Sequence, residues 1–107
     1  MTKVILNLDE NVAGALCYLF GFITGLIFYL LENQNKFVKF HAMQSLITFL
    51  GVFIVLMVIW WVPFFGWILR SIIILLALIL WVILMVKAYY GEKFKLPIIG
   101  DIAEQYS

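Results

Sequence analysis

Three apolar stretches, separated by short polar breaks, organise the chain: Val12 to Leu31, Ala42 to Val62, and about Trp67 to Tyr90. Each reaches the roughly 20 residues that a helix needs to cross a hydrocarbon core of about 30 Å. Strands are a poor alternative, because three of them cannot close a barrel and an open sheet edge is not tolerated in lipid. The pattern predicts an all-α integral membrane protein with three transmembrane helices, at 12–31, 42–62 and 67–90. A loop at 32–41 and an interfacial tail at 91–107 complete a single domain.

The breaks carry their own chemistry. Asp9-Glu10-Asn11 suits a helix start. Glu32-Asn33-Gln34-Asn35-Lys36 is too polar for hydrocarbon, and Phe37-Val38-Lys39-Phe40-His41 alternates rings and cations as a headgroup-level segment would. Pro63 and Gly66 break the helix between the second and third spans. Trp60, Trp61 and Trp67 flank that break, and tryptophan prefers the membrane interface. Arg70 and Lys87 bracket an uncharged run, about 25 Å apart along a helix axis. After Tyr90 the chain turns polar, and Pro97 and Gly100 limit it to one short helical turn.

Composition supports the same class. Hydrophobic residues make up 66% and charged residues 12%, too few polar side chains to cover a water-soluble surface. A formal net charge of +1 leaves no basic stripe for nucleic acid. The lone Cys17 lies in an apolar run and reads as a packing residue. Asp9 and Glu10 precede the first apolar run and Tyr29-Leu30-Leu31-Glu32 ends it, which does not suit a cleaved signal peptide.

With three spans, Lys3 and Arg70 fall on one side, and Lys36, Lys39, Lys87, Lys93 and Lys95 on the other. The positive-inside rule then places the loop and tail in the cytoplasm and the N-terminus outside, in the cell membrane.

Two faces could carry function. Gly14, Gly21 and Gly25 lie on nearly one face of the first predicted helix, and Gly21 and Gly25 form a G-x-x-x-G pair that permits close backbone approach. The partner is another helix of the chain or a second copy. On the second helix His41, Gln44, Ser45 and Thr48, followed by Gly51, share one face by their spacing. Polar groups in hydrocarbon are costly unless satisfied, so that face should point inward, as interhelical glue or as a polar vestibule. His41 is the only histidine, which is too little for a metal site. With no carboxylate in mid-span, no nucleophile set and no phosphate loop, neither an enzyme nor a cofactor is expected.

Three stretches carry a resemblance: Asn11-Val12-Ala13-Gly14-Ala15-Leu16-Cys17-Tyr18-Leu19, Glu32-Asn33-Gln34-Asn35-Lys36-Phe37-Val38-Lys39-Phe40-His41-Ala42-Met43-Gln44-Ser45, and Tyr90-Gly91-Glu92 through Pro97-Ile98-Ile99-Gly100-Asp101. Together they resemble a family of small uncharacterised prokaryotic membrane proteins. That family is distantly similar to the twenty-kilodalton membrane subunit of the chloroplast inner-envelope import machinery. The resemblance implies weight on Phe40, His41, Gln44, Pro97, Gly100 and Asp101. The tail is expected to fold back over the polar end of helix two, with Asp101 accepting from His41 or Lys39. The expected function is a non-enzymatic scaffold or subunit of a membrane complex. The alternatives are an oligomeric channel or small transporter, or a protein-translocation component. The expected partners are the lipid bilayer and further copies or other membrane proteins.

Overall fold

The computed structural model describes residues 9–32 and 35–107. Lys3, Asn33 and Gln34, which entered the charge and loop arguments, lie outside the described residues. Five helices follow in order: α1 Glu10–Leu16, α2 Phe22–Leu31, α3 Lys36–Ile59, α4 Gly66–Tyr89 and α5 Ile99–Gln105.

Two of them, α3 and α4, are long and apolar enough to cross a membrane, with mean hydropathies of 2.4 and 2.9. Their 24 residues each give a length of about 36 Å at 1.5 Å per residue. The expected loop at 32–41 is shorter than predicted, because α3 begins at Lys36. Asn35 supplies the reason: its side-chain oxygen accepts from the Val38 amide at 3.0 Å, an N-cap that recruits Phe37 to His41 into the first turns of the helix. The tryptophan turn is where the sequence put it. A Cβ on Gly66 would stand 3.2 Å from the Ile59 carbonyl, so a glycine there lets α4 leave the turn close against α3.

The first predicted span is not one helix. The chain breaks at 17–21, between α1 and α2. At Gly21 the backbone takes φ 64° and ψ −133°, a conformation open to glycine and strained for other residues. The neighbours along α3 show what the break does. Glu10 meets Asn35, Gly14 faces Phe37 and His41, and Tyr18 reaches His41. Gly21 lies against Phe49, and the Phe22 ring stands 5.7 Å from Phe53. The order then reverses: Gly25 lies on Ala42 and Leu46, and Glu32 is back at Asn35. Residues 10–31 therefore descend beside α3 and climb back as a helical hairpin. At about 15 Å, α2 is half as long as the hydrocarbon core is thick. The two ends of this stretch lie beside the same end of α3, where one continuous helix would have placed them apart. Asn11 sits against Gly91 just past the end of α4, at the same end of the molecule as Glu10 and Asn35.

The tail folds back as expected and goes further than one turn. Residues after Gly91 run extended beside the first turns of α3, and α5 closes the chain with the Tyr29 hydroxyl donating to the Tyr106 carbonyl at 3.0 Å.

Candidate functional site

A helix break in an apolar stretch interrupts the backbone ladder, and lipid offers its carbonyls no donor. Three side chains donate to carbonyls at this break, and the Tyr18 and Gly21 carbonyls also accept from the Gly21 and Gly25 amides, respectively. Thr24 Oγ1 donates to the Cys17 carbonyl at 3.1 Å. The Trp81 indole N–H, reaching across from α4, donates to the Tyr18 carbonyl. Ser45 Oγ donates to the Gly21 carbonyl at 2.9 Å. The inward face of α3 is thus a set of partners for the hairpin tip.

The second layer of this face binds the tail. The Gln44 amide accepts from Leu96 N–H at 3.0 Å and donates to the Phe94 carbonyl at 2.9 Å. These are the groups that one residue of a parallel strand would engage, so the side chain imitates a strand partner for the extended tail. Gln44 also donates to the Tyr18 hydroxyl at 3.0 Å. The Tyr18 hydroxyl lies 2.6 Å from His41 Nδ1, and His41 Nε2 lies 3.0 Å from the Glu92 carbonyl. A carbonyl can only accept, so Nε2 carries the proton and Nδ1 accepts from Tyr18. Every donor in the run from Leu96 through Gln44, Tyr18 and His41 to Glu92 then has an acceptor, with the imidazole neutral. His41, Gln44, Ser45 and Tyr18 are all fully buried.

Asn35 ties the surface end. Its Nδ2 donates to Glu10 Oε1 at 3.0 Å, and its own amide donates to Glu32 Oε1 at 3.2 Å. The starts of α1 and α3 and the end of α2 meet at this one residue.

The glycines of the sequence argument pack within the chain. A Cβ at Gly25 would stand 2.8 Å from the Ala42 carbonyl, so α2 crosses α3 backbone to backbone. At Gly14 it would meet Phe37 at 2.9 Å, with Ala88 and His41 behind. Gly100 is held against Lys95, whose Cβ would lie 2.5 Å from an added methyl. Pro97 opens the turn into α5, its carbonyl accepting from Ile99 N–H at 2.6 Å. Gly51 has open space around it.

Two expected roles are not realised. Asp101 is exposed and does not reach His41, whose two nitrogens are taken by Tyr18 and Glu92. Lys39 stacks over the Tyr29 ring instead, 4.7 Å from its centroid. Thr48 is buried with its hydroxyl unpartnered among the described residues. The residues that the sequence argument missed are Tyr18, Thr24 and Trp81. Their signal was depth: Tyr18 and Trp81 sit in mid-run, away from the interfacial belts that tyrosine and tryptophan prefer.

In the tail, Lys95 and Glu104 pair at 2.6 Å. Hydrogen bonding to each other holds the Glu104 carboxyl below its ordinary value and the Lys95 ammonium above its own.

No solved structure matches the chain. Among curated proteins it is 59% identical, over its whole length and 96% of the relative's, to a UPF0132 membrane protein of Methanocaldococcus jannaschii. A second protein of that name and organism is 48% identical over 94% of this chain and 72% of its own. A UPF0132 membrane protein of Archaeoglobus fulgidus is 52% identical over 92% of this chain and 95% of its own. Residues 2–103 match the magnetosome magnetite crystal formation protein family. With two membrane-length helices and relatives named as membrane proteins across almost its full length, the chain is a membrane protein of the magnetosome magnetite crystal formation family, alongside the archaeal UPF0132 proteins.

Proposed function

We propose that this protein is a non-enzymatic scaffold or subunit of a membrane complex, built from two crossing helices and a re-entrant hairpin. The observation that carries this reading is the use made of the polar face. Gln44, Ser45, His41 and Tyr18 are committed to the hairpin tip and the tail. Their geometry serves to hold segments together. In contrast, α4 buries little beyond Leu84, Ala88 and Gly66, which leaves a long apolar face for lipid or neighbouring subunits.

In this reading both described ends lie at the cytoplasmic surface. Among the described residues, five lysines (Lys36, Lys39, Lys87, Lys93 and Lys95) gather at that end, and Arg70 alone lies toward the other. Reporters fused to the two termini should both be active in the cytoplasm. An N-terminal reporter active only outside would sink the re-entrant arrangement. The scaffold role is tested separately, by gentle extraction and mass measurement. Copurifying subunits or a defined oligomer are expected, and a strict monomer without partners under several mild conditions would end the proposal.

An oligomeric channel lined by Gln44, Ser45 and Thr48 is the alternative. It would have to draw Gln44 and Ser45 away from Tyr18, the tail and Gly21. A translocation role rests on the distant likeness of the Phe40–Ser45 and Tyr90–Asp101 motifs alone, and those residues already have duties inside this chain.

A further inference from the structure

The hairpin occupies one face of the α3–α4 pair only as far as Phe49, Phe53 and Trp81. Beyond that, α3 and α4 continue to the tryptophan turn without it. From Phe49 to Trp60, and from Trp81 back to Arg70, each helix covers about 16 Å, half of a hydrocarbon core. Two adjoining hollows of about 320 Å³ each occupy this stretch. The inner one reaches Phe49 and Trp81, the outer one reaches Trp60 and Arg70, and they meet at Leu56 and Ile74. The result is a half-membrane groove with apolar walls and a cation at its mouth.

That cation is isolated. Arg70 is the one charged residue between Lys39 and Lys87. Its guanidinium lies 4.8 Å from the Trp60 ring centroid, and among the described residues no carboxylate pairs with it. Stacking on Trp60 leaves the planar donors of the guanidinium available for a bidentate anion.

We propose that this groove is a binding site for an anionic phospholipid of the outer leaflet, with one acyl chain along Leu56 and Ile74 and its phosphate on Arg70. The groove has the depth of a single leaflet, and the cation stands where the headgroup would. A second copy is a poorer occupant. A two-fold contact through this face would bring two Arg70 side chains together, and residues 42–86 contain no carboxylate to offset them. The choice of leaflet rests on the proposed orientation, while the site itself is independent of the scaffold reading, since it exists in one chain.

The experiment is native mass spectrometry of detergent-purified protein titrated with phosphatidylglycerol or phosphatidylcholine of matched chains. The wild type should prefer phosphatidylglycerol by about fivefold, the factor one interfacial cation contributes. Arg70→Gln should reduce the preference to within about twofold, and Arg70→Lys, which keeps the charge and loses the planar fork, should retain a preference between that and the wild type's, showing that the fold is intact. Ile74→Trp fills the groove with the charge in place, and should weaken binding of both lipids. Equal binding of the two lipids by the wild type overturns the proposal, as does a preference that survives Arg70→Gln. Efficient Ile74→Cys disulfide crosslinking between copies in bilayers would also overturn it, by giving the groove to a second chain.

Discussion

Replacing Gln44 by leucine removes the amide and keeps nearly the same bulk, so the effect should come from hydrogen bonds. Three are lost: to the Phe94 carbonyl, to the Tyr18 hydroxyl and from Leu96 N–H. They are unequal. Leu96 N–H is buried and becomes an orphan, which costs about 1–3 kcal/mol. The Phe94 carbonyl is part-buried and can turn to water, and Tyr18 still donates to His41, so these two add about 0.6 kcal/mol each, the average for side-chain bonds in membranes. The sum is about 2–4 kcal/mol, and it falls first on tail docking. A seven-residue α5 is too short to persist undocked, so its amides report the docking equilibrium. Hydrogen exchange at Ile102 and Tyr106, which bond only to Ile98 and Ile102 carbonyls, should accelerate about 30-fold for a loss of about 2 kcal/mol. Neither amide touches Gln44, so a direct local effect is excluded. Exchange in α5 within twofold of wild type would refute the claim that Gln44 holds the tail.

The two hydroxyls on the same face should respond in opposite directions. Ser45→Ala removes the shortest bond to the Gly21 carbonyl, which keeps longer ones from Gly25 N–H and Thr24 Oγ1 at 3.4 Å, and should destabilise by about 0.5–1.5 kcal/mol, whereas Thr48→Val removes an unpartnered hydroxyl and should be neutral or stabilising by about 1 kcal/mol; unfolding in mixed micelles decides both. Gly25→Val would drive a side chain into the Ala42 carbonyl and should undock the hairpin, read as faster labelling of Cys17, which is fully buried here. The Lys95–Glu104 pair gives the tail a pH window. Glu104 is held below 4.5, so its contribution is present above that value and fades as pH falls through the lowered one. Lys95 is held above 10.5, so its contribution is present below that value and fades as pH rises through the raised one. Tail exchange should be insensitive to this pair between those limits, once intrinsic exchange is divided out, and Lys95→Met should abolish any dependence outside them.

Much of this architecture was legible, and the part that was not has a definite cause. Uniform apolar runs marked α3 and α4, and three- and four-residue spacing marked the inward face of α3. The close approach at Gly25 followed from its small-residue pairing. Residues 12–31 misled because hydropathy sums a window and is blind to direction: a run that turns back at Gly21 scores as one that crosses. The same Gly21 that completes a packing motif also permits the reversal, and the sequence pattern alone does not separate these uses. Thr24 and Trp81 were the available clue, since polar donors in mid-run imply carbonyls to receive them, and Tyr18 was another, its hydroxyl meeting His41. In the tail, folding back was foreseen but its bonds were not, because Gln44 and His41 bind backbone groups of Glu92, Phe94 and Leu96 that carry no side-chain signature.

The depth of the hairpin follows from where donors end. A turn in hydrocarbon can stand only where side chains meet its freed carbonyls. On α3 the last such group is Ser45 for the tip, with Thr48 one turn below, and from Phe49 to Ile59 there is no polar side chain. On α4, Trp81 is the donor, and from Ile72 to Leu80 there is none. A hairpin one turn longer would place its carbonyls against Val52, Phe53 and Leu78 and leave each unpaired, at about 1–3 kcal/mol apiece. A shorter one would leave Ser45 and the Trp81 indole without acceptors. On the proposed re-entrant arrangement the tip is therefore pinned partway along α3 by two residues on two helices, and the groove beyond it follows: two helices continue where the third segment does not.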